Sequence, residues 1–332
     1  MKKFCVALAF AILAAALPAM PVSAQQKTVI KFAFASPPTT NWLPYFVAKK
    51  KGWLEAAGLD VQETFMTSDP NALRALLSQQ ADLAAVGTFP PYLAVLEGAH
   101  IKAIGSFFQR IDYEIVARDK IKSIKDMEGA RIATSAPGAA SGEIPRLVMR
   151  KHGFDPTKAT VVPIGSHEAR MMAIAADKVD AAAIPALYAA KAATMSGMHS
   201  LANVAEEFPQ MGHFYILART EDLEVPAKRA AFVKFLKVAT VDANRYIVAN
   251  PEEAAKIMKE YLPEFDEKLI TEAIKSLAKS KVWAVNGGAE PEVTAFTIKT
   301  GVELGILPRS LEVKDILDPS LVDEVLRTSG RQ

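Results

Sequence analysis

The sequence contains a single cysteine, and its position excludes several kinds of site. Cys5 lies inside an apolar run, Phe4–Leu17, near the amino end of the chain. It does not stand at a cleavage point, where a lipoprotein would carry its lipid-bearing cysteine. If this run is removed on export, the mature chain has no disulfide, no thiolate nucleophile and no cysteine-based metal site.

An excess of charge of either sign is also missing. The chain has 39 basic and 37 acidic residues, and the leader proposed below removes Lys2 and Lys3 but no acid, which leaves 37 of each sign. No basic stripe of the kind that binds nucleic acid is present. The five histidines are scattered, with no pair at metal-ligand spacing. The sequence therefore predicts no nucleic-acid partner, no metal and no cofactor.

Residues 1–24 have the pattern of a cleaved export signal. The positively charged segment Met1-Lys2-Lys3 is followed by the apolar run Phe4–Leu17. Val22-Ser23-Ala24 then places small residues at the positions that precede a cleavage site. The run is short for a membrane span, and no later run of about 18 apolar residues follows. We expect cleavage after Ala24 and export to the oxidising periplasm, with an uncleaved anchor as the alternative. The 308 residues left of 332 are enough for two lobes.

The stretch Ile30–Trp53 predicts a strand, a short loop and the start of a helix. Ile30–Ala35 alternates and is apolar enough for a buried strand, and Ser36–Asn41 is a polar break with two prolines. Apolar residues then recur at helical spacing from Trp42 to Lys51. This order places a helix amino terminus at the carboxyl end of a strand, where backbone N–H groups favour a negatively charged or strongly polar ligand.

A second copy of this pattern occurs about 100 residues later. Pro44–Trp53 matches Pro145–Phe154 at an offset of 101 positions, and Asp82 matches Asp180 at an offset of 98. In both copies a strand, a polar turn, a second helix and another strand follow in the same order. Two successive βαβαβ units therefore predict two mostly parallel sheets with right-handed crossovers.

Two further segments resemble each other and mark the passage between the units. Tyr113–Asp119 and Phe214–Thr220 both read as an aromatic residue, β-branched residues and then Ala-Arg. We interpret them as strands that cross between the lobes. The predicted first lobe is then 25–113 with 218–332, where the helices after Ala227 pack, and the second lobe is 114–217. Two crossings form a hinge, and the cleft between the lobes is the natural ligand site.

Three stretches of the chain together resemble a known family. They read FASPPTTNWLPYFVAKKKGWLEAAGLDV, ALRALLSQQADLAAVG and IKSIKDMEGARIATSAPGAASGEIPRLVMRKHGFDP. They are similar to the periplasmic substrate-binding proteins of bacterial ABC importers, in the branch for alkanesulfonates, taurine, nitrate and thiamine-pyrimidine precursors. The resemblance covers Ile30 to Leu217 and implies an α/β type II fold of two lobes joined by a two-strand hinge. It also implies closure on one small ligand and docking of the closed form on an ABC permease.

In that family the ligand contacts come from the loops that follow the strands. Carried over to this chain, the resemblance implies ten contact residues, five in each lobe: Thr40, Asn41, Trp42, Thr88 and Phe89, then Ser135, Gly138, Ala140, Ser141 and Pro185. The loop Ser135–Gly142 is the sharpest signal, because its small residues admit close backbone approach and its serines offer hydroxyls. A plain strand-to-helix turn is the alternative for this loop.

Several other residues have two interpretations each. Trp42 and Phe89 either wall the cleft or belong to the core. Trp283 is better explained by packing than by ligand contact, and Arg110 either reaches an anion or forms a hinge ion pair. His167 better fits the capping of a helix than a contact with ligand.

The sequence as a whole predicts a monomeric, exported binding protein. Its ligand would be a small organic anion or a polar heterocycle: a sulfonate, a carboxylate or a pyrimidine-like compound. No nucleophile elbow, P-loop or paired-carboxylate spacing indicates an enzyme. The pyrimidine-synthase branch of the same fold would need cysteine-rich and histidine motifs that the mature chain lacks. A sensor or accessory protein that binds ligand and docks on a signalling partner remains an alternative.

Overall fold

A computed structural model describes residues 27–332 of the chain. The predicted leader, with Cys5, lies outside these residues. Within them, no helix combines the length and the apolar character that a bilayer crossing requires.

Within residues 27–332, ten strands form two sheets of five. The order is β2-β1-β3-β10-β4 in the first sheet and β7-β6-β8-β5-β9 in the second. The strands are β1 Thr28–Phe34, β2 Leu59–Phe65, β3 Leu83–Val86, β4 Ile101–Ser106, β5 Tyr113–Arg118, β6 Arg131–Thr134, β7 Thr160–Pro163, β8 Ala181–Pro185, β9 Met198–Asn203 and β10 Tyr215–Arg219.

Sixteen helices of very different length cover these sheets in the described part of the chain. They are α1 Leu43–Lys50, α2 Trp53–Ala56, α3 Asp69–Leu77, α4 Pro90–Leu96, α5 Ala140–Lys151, α6 His167–Ala175, α7 Ala186–Ala192, α8 Val204–Glu207, α9 Thr220–Leu223, α10 Pro226–Leu236, α11 Ala243–Ala249, α12 Pro251–Tyr261, α13 Glu267–Lys279, α14 Pro291–Glu303, α15 Val313–Ile316 and α16 Ser320–Ser329. A π-helical turn, Lys237–Asp242, joins α10 to α11, and 3₁₀ turns occur at Thr40–Trp42, Ile124–Met127 and Pro156–Lys158.

The duplicated pattern in the sequence corresponds to a duplicated topology. In the first sheet β1 pairs in parallel with β2 and β3, and in the second sheet β6 pairs in parallel with β7 and β8. The prediction of two mostly parallel α/β lobes is therefore confirmed. Because parallel strands end at the same edge, the loops after β1, β3, β6 and β8 collect at one side of each sheet.

The two segments that we interpreted as crossing strands are instead interior strands. Each is antiparallel to both neighbours: β5 lies between β8 and β9, and β10 lies between β3 and β4. Pairing on both sides satisfies the backbone of each strand within one sheet, so the crossings are made by the connections 107–112 and 208–214 that precede them. Tyr113 thus belongs to the second sheet and Leu217 to the first, and both crossings come slightly earlier than the predicted division.

The C-terminal helices pack mainly on the first lobe. Helix α10 contacts α16, α16 contacts β4, and α12 lies against α1. Helix α13 also reaches α7, so this region touches the second lobe as well. Helix α12 begins after Asn250 with Pro251 in its first turn, and the Asn250 side-chain amide donates back to the Tyr246 carbonyl instead of capping the helix.

Candidate functional site

A small cavity lies where the two lobes face each other. It measures about 20 Å³, and both lobes contribute hydroxyl, carboxylate, guanidinium and aromatic groups to its wall. Its lining residues are Ala35, Ser36, Thr67, Asp69 and Phe214 from the first lobe, and Tyr113, Ser135, Ser141, Gly165, Ser166, His167 and Arg170 from the second.

Arg170 is the most unusual group at this cavity, because its charge is almost entirely shielded from solvent. The side chain is 1% exposed and rises from α6. One terminal nitrogen donates to the Gly165 carbonyl at 2.5 Å, and the other donates to His167 Nδ1 at 2.7 Å. Its Nε has no hydrogen-bond partner. Burial lowers the pKa of the guanidinium, so an anion that paired with it would relieve an electrostatic cost.

His167 supplies a second N–H group with no partner. Because Arg170 donates to its Nδ1, the imidazole proton stands on Nε2, which is buried and unpaired. Burial, and then the charge of Arg170, hold the pKa of His167 well below its usual range, so the ring is neutral at pH 7. The predicted capping role belongs instead to Ser166, whose hydroxyl accepts from the Ala169 amide at 3.2 Å.

Asp69 brings a buried negative charge to the first-lobe side. Its Oδ1 accepts from the Gly87 amide at 2.8 Å, and its Oδ2 accepts across the interface from the Ala140 amide at 3.1 Å. Burial raises the pKa of this carboxyl, although the two amide donors oppose the rise. The charge of Arg170 opposes the rise in the pKa of Asp69, and the charge of Asp69 opposes the fall in the pKa of Arg170. The cavity therefore holds one buried acid and one buried base that interact electrostatically across the interface.

The lobes meet closely beside Asp69. A methyl group added at Gly87 would lie 2.8 Å from Ala140 Cβ on the second lobe. Farther along the interface, Arg150 of α5 donates to the Leu304 carbonyl at 2.7 Å, and Tyr188 of α7 packs edge-on against Phe265. A volume of about 20 Å³ accommodates roughly one water-sized sphere, so this arrangement of the lobes is closed.

The structure distributes the five predicted second-lobe residues unequally. Ser135 and Ser141 line the cavity, and Ser141 Oγ accepts from the Ser135 amide at 3.0 Å. Ala140 stands at the edge, where its amide binds Asp69. Gly138 is exposed in the preceding turn with φ +75°, and Pro185 ends β8 opposite Tyr113.

The five predicted first-lobe residues are all fully buried and do not line the cavity. Trp42 packs against Phe34 and Phe214 and donates from its indole to Ser36 Oγ at 3.1 Å, so it positions a hydroxyl that does line the cavity. The other four are packed behind this wall: Thr40, Asn41, Thr88 and Phe89. This loop lines the cavity with Ala35 and Ser36, which precede the predicted contact residues in the sequence.

The two buried charges at the cavity were not among the predicted site residues. Asp69 lies in the first turn of α3 and Arg170 in the first turn of α6, and each helix follows the polar turn of its copy of the repeat. These equivalent positions in the two copies are the sequence feature from which both residues could have been predicted. Of the two interpretations of Arg110, contact with an anionic ligand or an ion pair, the structure shows the ion pair, with Glu290 at 3.4 Å. Trp283 is core, packed edge-on against Phe108 at 4.8 Å.

Comparison with known proteins agrees with this geometry. The sequence profile described as NMT1/THI5-like matches residues 39–254, about two thirds of the chain. The chain belongs to the NMT1/THI5-like family. A Brucella abortus protein, provisionally named as a binding protein, is 28% identical over 283 residues, which cover 81% of this chain and 84% of the relative.

Solved structures show the same fold at low identity. The aliphatic sulphonate-binding protein SsuA of Escherichia coli has a TM-score of 0.66 at 19% identity, over 89% of this chain and 99% of its own. The nitrate-binding protein NrtA of Synechocystis has a TM-score of 0.74 at 15% identity, over 92% and 90%. The desulfurization enzyme DszB also shares the fold, with a TM-score of 0.64 at 14% identity over 90% and 99%. The fold is thus that of periplasmic binding proteins, and it also occurs in an enzyme.

The hinge of this family member contains a buried titratable pair. Asp112 lies in the first connection and His213 in the second, with His213 Nε2 3.8 Å from Asp112 Oδ1. The Asn41 amide donates to Asp112 Oδ1 at 3.1 Å, and Thr88 Oγ1 is 3.0 Å from His213 Nδ1. Burial raises the pKa of Asp112 to about 7 and lowers that of His213 to about 3. Both groups are therefore held in their uncharged forms near pH 5.

We expect Asp112→Asn to become more stable relative to wild type as pH rises from 5 to 8. The folded-state pKa is above the unfolded value of about 4, so wild-type stability falls as pH rises from that value to about 7, because the unfolded carboxyl has ionised there while the native one is still protonated. An asparagine cannot ionise, and the difference should grow by about 2–3 kcal/mol over this range. Urea unfolding of both proteins at pH 5 and 8 measures it. Burial holds the pKa of His213 at about 3, below this pH range, so Asp112 is the group of the pair that titrates within it. A difference that does not change with pH would contradict the assignment.

A larger groove, about 760 Å³, is lined only by residues of the first lobe, including Trp53, Gly58 and Lys237. We favour the smaller cavity as the ligand site, because both lobes line it with polar side chains, and because His167 Nε2 and Arg170 Nε of the second lobe are buried there without a partner.

Proposed function

We propose that this chain is an exported solute-binding protein that captures a small organic ligand between its lobes and delivers it to an ABC permease. The ligand carries an anionic or strongly polar group of the sulfonate, carboxylate or pyrimidine-like kind. The observation that carries this proposal is Arg170, a guanidinium with 1% exposure and an unpartnered Nε at an interlobe cavity.

The other groups at the cavity support an oxyanion ligand. His167 offers Nε2–H and Ser135 offers a hydroxyl from the second lobe, while the Ser36 hydroxyl of the first lobe would have to turn from the Pro37 carbonyl to donate to a ligand. Oxygen atoms of a sulfonate or carboxylate accept several hydrogen bonds, and those from a charged donor are the strongest. A ligand bound by donors on both lobes favours the closed form, because only that form completes its contacts.

The closed arrangement leaves too little room for a ligand of this kind to enter. The two connections, 107–112 and 208–214, are the only covalent links between the described lobes, and the Ile111 amide donates to the Met211 carbonyl at 3.0 Å where they run side by side. We therefore propose that the lobes open about these connections and close on the ligand. The closed form would be the one that docks on the permease, with the protein acting as a monomer in the periplasm.

A thermal-shift panel tests this function. Sulfonates, aminosulfonates, carboxylates, nitrate and pyrimidines would each be added to the purified mature protein. A ligand present at 100 times its Kd stabilises the folded state by about 2.7 kcal/mol, so a true ligand should give a clear rise in Tm. A panel in which no compound raises the Tm would contradict the proposal.

An enzyme is the second candidate, because the fold is shared with the desulfurization enzyme DszB. Chromatographic analysis of each panel compound after incubation distinguishes the two. Compounds that bind and are recovered unchanged support a binding protein, whereas turnover supports the enzyme. A sensor role differs in its docking partner, which a pull-down against the cognate permease would identify.

A further inference from the structure

A contact between the lobes is made outside the ligand cavity, by the turn 262–266 between α12 and α13. Phe265 of this turn packs edge-on against Tyr188 of α7, with the ring centroids 4.9 Å apart. Lys191 of the same helix lies over the Phe265 ring, with Nζ 4.5 Å from its centroid. Phe265 is 1% exposed, and Tyr188 is 5% exposed. Two residues of the second lobe therefore cover one aromatic ring of the C-terminal helices, and none of the three lines the cavity.

The turn that carries Phe265 is held in place by its own lobe. Lys259 Nζ donates to the Pro263 carbonyl at 2.8 Å and also to the Phe265 carbonyl. Asp266 caps α13, because its Oδ1 accepts from the Lys268 amide at 2.7 Å. None of these bonds involves the second lobe. The turn therefore presents the Phe265 ring without help from the residues that cover it.

This contact is remote from the hinge. Helix α13 begins just after the turn and ends at Lys279, and the nearby Val282 carbonyl accepts from the Gln109 amide of the connection 107–112 at 2.9 Å. A helix of 13 residues is about 20 Å long, so Phe265 lies roughly that far from the covalent link between the lobes. Rotation of the lobes about the connections must therefore break or remake the contact between Phe265 and α7.

Tyr188 also reaches the ligand cavity. Its ring packs against the imidazole of His167, with the centroids 5.5 Å apart, and His167 lines the cavity. The same tyrosine thus contacts Phe265 of the C-terminal helices and a cavity group of its own lobe. Closure of the lobes brings Phe265 against a ring that is already in place beside the ligand site.

We infer that Phe265, Tyr188 and Lys191 form an interlobe latch that stabilises the closed form independently of the ligand. An edge-to-face aromatic pair and a cation over a ring both add to the burial of apolar surface, and neither contact needs a ligand. The inference rests on the hinge motion of the proposed function. A latch of this kind raises the apparent affinity for any ligand that fits the closed cavity, because a larger fraction of the protein is already in the binding-competent form.

Distance measurement by pulsed electron paramagnetic resonance tests the latch on ligand-free protein. The only cysteine, Cys5, lies in the predicted leader, so in the mature chain the exposed pair Glu55→Cys and Lys158→Cys carries the only spin labels, one on each lobe. Refolding from urea before labelling removes bound compounds. The wild-type latch should give a closed population, and Phe265→Ala should lower the ratio of closed to open protein about tenfold.

Tyr261→Ala is the matched control for the loss of a ring. Tyr261 ends α12, and its ring stacks on Phe46 of the first lobe at 3.8 Å, so its removal leaves the interlobe contact in place. The ratio of closed to open protein should then equal that of wild type. An equal fall in Tyr261→Ala and Phe265→Ala would overturn the inference, because the effect would come from loosening of the first lobe.

A double-mutant cycle separates a latch from general damage. Tyr188→Ala should also lower the closed-to-open ratio, and the double variant with Phe265→Ala should fall well short of the product of the two effects, because both remove the same contact. Lys191→Met alters only a partly exposed side chain and should lower the ratio about threefold, so it tests the latch even if an aromatic variant folds poorly. Ligand-free wild type that is wholly open, effects that multiply, or a ratio unchanged in both Phe265→Ala and Lys191→Met would overturn the inference.

Failure of the latch and failure of the proposed function give different results. If a compound in the thermal-shift panel raises the Tm but the distances do not respond to the substitutions, only the latch fails. If the ratio falls as expected but no compound raises the Tm, the latch stands and the proposed function fails.

Discussion

Arg170→Met should weaken binding of a sulfonate or carboxylate ligand by at least about thirtyfold. Removing one partner of a buried, hydrogen-bonded charge pair costs about 2–5 kcal/mol in binding, and the lower end of that range corresponds to this factor. Methionine fills a similar volume and leaves no charge behind, so the variant changes the chemistry of the cavity more than its shape. Calorimetric titration with the best ligand from the panel measures the loss.

The fold should survive this substitution. The change removes donors to the Gly165 carbonyl and to His167 Nδ1, which would cost about 1–3 kcal/mol of stability for each group left unpaired, while the desolvation of a buried guanidinium is recovered. The free energy of unfolding should therefore change far less than the two losses added together. Arg229→Met, which breaks a surface ion pair with Glu324, is the matched control and should bind normally. Wild-type affinity in Arg170→Met would remove Arg170 from the site.

Gly87→Ala should weaken ligand binding about tenfold or more by a different route. The added methyl lies 2.8 Å from Ala140 Cβ on the second lobe, so it acts as a wedge between the lobes, and it also lies 3.0 Å from Asp69 Oδ1 within the first lobe. Forced overpacking costs about 1–3 kcal/mol, and because the clash with Ala140 exists only in the closed form, that part of the cost favours the open form. Titration gives the affinity, and small-angle X-ray scattering with saturating ligand should show a larger radius of gyration than for wild type.

Gly142→Ala is the matched control for this wedge. Its added methyl would also be crowded, at 3.0 Å from Thr134 Oγ1, but the contact lies within the second lobe. We expect this variant to change stability slightly and to leave closure unaltered. Equal effects of the two substitutions on affinity would mean that the contact between Gly87 and Ala140 does not control closure.

The elements of the fold could be predicted because their signals are local. Strand β1 is found at Thr28–Phe34, where alternation predicted a strand over Ile30–Ala35, and helix α1 at Leu43–Lys50, where apolar residues recur at helical spacing from Trp42 to Lys51. The sequence repeat also allowed the strand topology to be predicted, because equivalent segments of the two copies occupy equivalent positions in the two sheets. The crossing strands were misassigned because pairing with strands from distant parts of the chain is not encoded in a six-residue segment.

The site was harder to predict because its chemistry depends on contacts between distant residues. Within the sequence of α6, Arg170 has the appearance of an ordinary exposed helix residue. It is buried because β5 and β8 bring Tyr113 and the Ala183 carbonyl against it. The loop residues Ser135 and Ser141 could be predicted, since small residues after a strand are a local signal. Thr40 and Asn41 could not be placed, because only the packing of Trp42 turns that loop away from the cavity.

The central claim is that the ligand binds between the lobes, and a crystal structure with the best compound from the panel tests it most directly. We predict electron density for the ligand in contact with Arg170 from the second lobe and with Ser36 or Asp69 from the first. Density confined to the groove beside Trp53, or contacts with one lobe alone, would contradict the claim.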